Sequence, residues 1–70
     1  MRNNILYYLN LAAFYRTIAS EYAKLAKWAV VKGHDYLAMD YDKKYSEMCA
    51  KSIYYINETR KERKKYGYQF

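Results

Sequence analysis

From Ile5 to Val30 apolar residues recur at steps of three and four, and the same rhythm returns from Leu37 to Ile56. That spacing predicts two α-helices. Between them stands Lys32-Gly33-His34-Asp35, a glycine able to end one helix followed by an aspartate able to cap the next. The expected elements are a helix over about 4–31 opened by Asn3 or Asn4, a hinge over 32–35, a helix over about 35–64 and a basic, aromatic tail over 65–70. Each helix would be ~42 Å long. Folded back at Gly33 they form an antiparallel hairpin, a single all-α domain. Residues whose numbers sum to roughly 66 would then meet, pairing Leu11 with Tyr55, Ile18 with Met48 and Tyr22 with Tyr45.

The two helices differ in how much apolar surface they offer. On a wheel of 100° per residue the first helix gathers its apolar residues into half of the circle. A seam of Tyr8, Leu11, Tyr15, Ile18, Tyr22, Leu25 and Ala29 runs through it, beside a small-residue stripe of Ala12, Ala19, Ala23 and Ala26. The apolar face of the second helix covers about a third of its wheel. Its outer face carries Asp40–Lys44, Glu47–Lys51 and Glu58–Lys61 at ion-pair spacing. One such helix cannot cover the other's half-circle. The uncovered part, Ile5, Leu9, Ala12, Ala19, Ala23, Ala26 and Val30, is therefore the expected homo-oligomer interface, most simply of a dimeric four-helix bundle, with a ring of hairpins satisfying the same pattern.

Size strengthens that expectation. A chain of 70 residues buries a core that supplies only ~3–5 kcal/mol. With one cysteine, Cys49, and one histidine, His34, it has neither an intrachain disulfide nor a zinc-ligand spacing to add to it. A second copy is the remaining staple. No charge-free apolar run reaches the roughly 20 residues of a spanning helix, so the expected location is the cytoplasm.

The eleven tyrosines suggest stacking surfaces, although tyrosine, lysine, asparagine and isoleucine all have A/T-rich codons and a low-GC genome would enrich them alike. At seam positions a tyrosine body is core. Trp28 and Tyr54 lie off the apolar faces. Trp28, one turn from Lys24 and Lys32, makes with them a second candidate partner surface.

Charge is concentrated at one end. The formal net charge is +6, and Arg60, Lys61, Arg63, Lys64 and Lys65, diluted by Glu58 and Glu62, carry half of it. In the hairpin they share an end with Arg2 and with the positive end of the first helix dipole. Arg2, Arg60, Arg63, Lys64, Lys65 and Tyr66 are thus the candidate site for an anion or a partner, cations for phosphate and rings for stacking. The plainer explanation is that cations complement a helix C-terminus.

Catalysis has little support. The single histidine stands at the hinge, Asp40 and Asp42 point apart on their helix, and Cys49 reads as a small buried hydrophobe. No cofactor or metal is expected. In size, Tyr- and Lys-rich composition and two-helix layout, the chain resembles the small all-helical proteins that phages direct against bacterial immunity, some inhibitors of CRISPR effectors and others sponges for cyclic oligonucleotides. The resemblance implies a stoichiometric inhibitor or adaptor that binds a protein partner in the host cell cytoplasm. The alternatives are a sponge for a nucleotide-like anion and a small basic nucleic-acid-binding protein.

Overall fold

The chain lacks proline, and in the computed structural model its backbone makes two long helices, α1 (Asn3–Val31) and α2 (Asp35–Tyr66). Residues 3–66 are described, without the side chains of Asn3 and Tyr66. The second helix continues through Lys65 and Tyr66, so these two residues are helical.

Gly33 ends α1 through a Schellman motif. The His34 amide reaches back to the Ala29 carbonyl at 2.8 Å and the Gly33 amide to Val30 at 3.1 Å. This arrangement requires the left-handed backbone that glycine tolerates, and Gly33 has φ +79°. One residue later the His34 carbonyl accepts the first bond of α2, from the Ala38 amide at 2.9 Å. By position His34 is therefore the cap. Asp35 lies in the first turn, where its carboxylate complements the positive helix end, and Arg63, Lys64 and Lys65 do the converse in the last. A Cβ at residue 33 would meet no atom within 4 Å, so Gly33→Ala isolates the backbone strain. It should cost ~1 kcal/mol and lower Tm by about 4–8 °C in a thermal melt followed by circular dichroism.

The two helices lie side by side in a single layer, with principal extents of 51 × 17 × 13 Å. Their register is marked by a buried hydrogen bond from the Ser52 hydroxyl to the Ala12 carbonyl, 2.9 Å. Facing residues therefore have numbers adding to about 64, two fewer than the hinge position suggests. Tyr22 accordingly meets Tyr41, and Tyr55 lies between Tyr8 and Tyr15.

The seam itself is a correction. Ile5, Ala12, Ala19 and Ala26, expected at an interface between copies, are buried against the chain's own α2 together with Ala29 and Ala38. They recur every seven residues, with Tyr8, Tyr15, Tyr22 and Ala29 as the alternate row, which makes the hairpin an antiparallel coiled coil. The physical reason is the short interhelical distance that alanine permits. A serine hydroxyl reaches a carbonyl already bonded within its own helix when the axes approach to about 8 Å, too close for rows of leucine. The larger Leu11 and Ile18 are pushed to half-buried flanks, and Leu25 further out. The buried hydroxyl of Thr59 is satisfied within its helix, bonding the Tyr55 carbonyl at 2.9 Å.

Candidate functional site

Alanines inside leave the large side chains outside. The hairpin has two broad sides, and they differ. One carries Leu6, Leu9, Arg16, Ala23 and Val30 of α1; there Arg16 shares a hollow with Cys49, Ile53 and Ile56 of α2. Leu9, Ala23 and Val30 are exposed on this side, but Arg16, Ser20 and Lys27 break it into short apolar pieces. The other side carries a second regular stripe on α1, Tyr7, Leu11, Phe14, Ile18, Leu25 and Trp28, spaced by three and four with Glu21 at the remaining step. Tyr7 is 60 % exposed, Phe14 56 %, Leu25 39 % and Trp28 47 %.

That second side holds a connected group of rings. Tyr55 of α2 stacks between Tyr8 at 6.0 Å and Tyr15 at 5.8 Å, the latter nearly parallel at 4°. Tyr7 extends the group beside Tyr8, Phe14 beside Tyr15 and Tyr54 edge-on to Tyr55 at 5.0 Å. The Lys51 ammonium sits 5.3 Å above the Tyr15 ring. Crowding has an electrostatic consequence: burial first, then the neighbouring phenols Tyr15, Tyr7, Tyr54 and Tyr8, push the Tyr55 hydroxyl above its ordinary pKa. Tyr45 is also raised, chiefly by its hydrogen bond with Cys49. The thiol is half-buried.

Ion pairing departs from the expected pattern. Glu58–Lys61 forms at 3.3 Å, but Lys44 turns to Glu47 at 3.7 Å, leaving Lys51 to its ring and Asp40 to solvent. Glu21 pairs with Lys24 at 3.4 Å.

The basic end is exposed. Given the register, Asn3 stands level with Lys61, so the last turn of α2 extends beyond the first described turn of α1. Arg60, Lys61, Lys64 and Lys65 are exposed around it and Arg63 is half-buried. Arg2 and the side chain of Tyr66 fall outside the described residues. At the opposite end Trp28 lies against His34, ring centroids 5.7 Å apart, and shares an open hollow with Asp35, Tyr36 and Leu37. Lys24, Trp28 and Lys32 are all exposed, with Lys24 engaged by Glu21 and the indole by His34.

Sequence reasoning underrated the ring group, since Tyr54 lies off the apolar face of its helix until the structure sets it against Tyr55 and the α1 rings. Among the described residues no group of three or more His, Cys, Asp or Glu is placed to hold a metal, and no helix is long and apolar enough to cross a membrane. Compared with protein-family models, curated proteins and solved structures, the chain matches none.

Proposed function

We propose that the protein is a non-enzymatic, homo-oligomeric binding protein that acts by stoichiometric contact with a macromolecular partner, as an inhibitor or adaptor. The observation that carries this reading is the inversion of its apolar residues. Five of its six buried hydrophobic residues are alanines, while fourteen large hydrophobic residues are exposed among the described residues. Stability to be gained from hydrophobic burial is thus left for contact with other molecules. The exposed cations at the end of α2 give the assembly a polar contact surface apart from the apolar side. A steered encounter with an acidic partner surface follows from that charge.

The test is recovery of the partner from host cells by the tagged full chain, before and after the combined substitution Arg60→Glu, Lys61→Glu, Lys64→Glu and Lys65→Glu. A macromolecule bound in fixed ratio to the wild type, and lost at least roughly tenfold from the variant, supports the reading. Native mass spectrometry of the purified protein provides the counter-result. A bound mass of several hundred daltons per subunit, in place of a macromolecule, overturns inhibitor and adaptor alike and identifies a sponge.

A further inference from the structure

We infer that a second copy of the chain docks on the Tyr7–Trp28 side, antiparallel, about a two-fold axis that passes α1 at Ile18 and α2 between Tyr45 and Ser46. This deepens the homo-oligomeric part of the proposed function and rests on it, naming the face, the symmetry and the pairs.

Area comes first. A compact monomer of 8.5 kDa exposes about 4,700 Å², whereas this chain exposes 5640 Å². The excess is roughly 1,000 Å², close to the ~800 Å² that each partner buries in a stable interface. The broad side of the hairpin, 51 by 17 Å, has a footprint of about 870 Å². One copy laid along it covers the excess.

Symmetry then selects the arrangement. Two hairpins can meet face to face about an axis along the helices or one across them. The first lays the apolar stripe of α1 on α2 of the other copy, whose facing row is Leu37, Asp40, Lys44, Glu47, Lys51, Tyr54, Glu58 and Lys61. Most of those are charges, and burying them against rings is costly. The second lays α1 on α1 and α2 on α2. Tyr7 of one copy then faces Trp28 of the other, Leu11 faces Leu25, and Ile18 faces its own equivalent. Phe14 faces Glu21, whose carboxylate is turned to Lys24.

The α2 rows agree independently. Reversed about the point between Tyr45 and Ser46, Asp40 meets Lys51, Lys44 meets Glu47 and Leu37 meets Tyr54. Acid falls on base and apolar on aromatic. The Ser52–Ala12 bond makes Ile18 level with Ser46, so the centre of the apolar stripe and the centre of the charge pattern coincide on one line across the hairpin. Two unrelated patterns on two helices share one axis. The other side also brings apolar residues together, Leu6 with Val30 and Met39 with Ile53, but Arg16, Ser20 and Lys27 interrupt its α1 row and no acid there falls on a base. In the dimer the basic ends stand at opposite poles, two contact surfaces for a bridged or doubly bound partner.

Light scattering and native mass spectrometry of the full chain, with circular dichroism as the folding control, test the assignment. A dimer is expected. Phe14→Lys with Leu25→Lys should raise its dissociation constant more than roughly a hundredfold, while Leu9→Lys with Val30→Lys on the other side leaves it dimeric. Asp40→Lys should weaken it roughly tenfold, and adding Lys51→Asp should restore it. These two positions are eleven residues apart on one helix, beyond mutual reach within a chain, so rescue reports contact between copies. A dimer broken by the Leu9/Val30 pair and indifferent to Phe14/Leu25, or an absence of rescue, overturns this face while leaving self-association intact. A wild-type chain that stays monomeric at millimolar concentration overturns both.

Discussion

Ala19→Glu should unfold the hairpin at pH 7, and Ala23→Glu, four residues away, should leave it folded. Ala19 is 3 % exposed in the seam, where helices held at alanine distance have no room for a longer side chain and no water for its charge. Overpacking costs ~1–3 kcal/mol and an unpaired buried carboxylate several kcal/mol more. A chain this size has about 3–5 kcal/mol to lose. Ala23 is exposed, one turn from Lys27 and outside the seam, so its substitution should stay within about 0.5 kcal/mol. Helicity at 222 nm against temperature checks both, and Ala19→Gln separates the steric part from the charge. An equally stable Ala19→Glu protein would mean that the seam has been assigned to the wrong row.

The contrast between these two alanines shows what could be learned before the register was known. Two helices, their antiparallel course and the break at Gly33 follow from spacing, from the absence of proline and from one glycine in a polar hinge. The composition of the seam does not. A wheel ranks positions by hydrophobicity, which favours Leu11, Ile18 and Leu25 as core and treats alanines as a supplementary stripe. A two-helix layer has a single neighbour to pack against, and close approach at every seventh residue wins over bulk when a hydroxyl such as that of Ser52 can bond the facing backbone. The residues deposed from the seam, Leu11 and Ile18 half-buried and Leu25 exposed, then join Tyr7, Phe14 and Trp28 in the outer stripe. Of the candidate site, the basic run of α2 was legible because its members are adjacent. The ring group was not, since Tyr7, Phe14 and Tyr54 become neighbours only once Tyr55 is placed between Tyr8 and Tyr15.

Tyr55 is accordingly the single side chain whose loss should propagate furthest. It joins the two helices through stacking on Tyr8 and Tyr15 and supports Tyr54 at the rim, and no other residue fills that gap in a layer one helix deep. Tyr55→Ala should lower Tm by roughly 10–15 °C, less than full burial would give because the ring is half-buried. It should also weaken any contact made through Tyr7, Phe14 and Tyr54. Tyr55→Phe keeps the stack and should stay near wild type at neutral pH. The two proteins part under alkali. Because the folded environment raises the Tyr55 pKa, its contribution to stability is intact below the ordinary phenol value of about 10 and declines as pH rises through the folded value. Wild type should therefore lose thermal stability as pH rises above about 10, with Tyr55→Phe losing less. Melts across that range, with phenolate absorbance at about 295 nm recorded in parallel, give the comparison. Equal alkaline losses in the two proteins would remove Tyr55 from the crowded centre of the group.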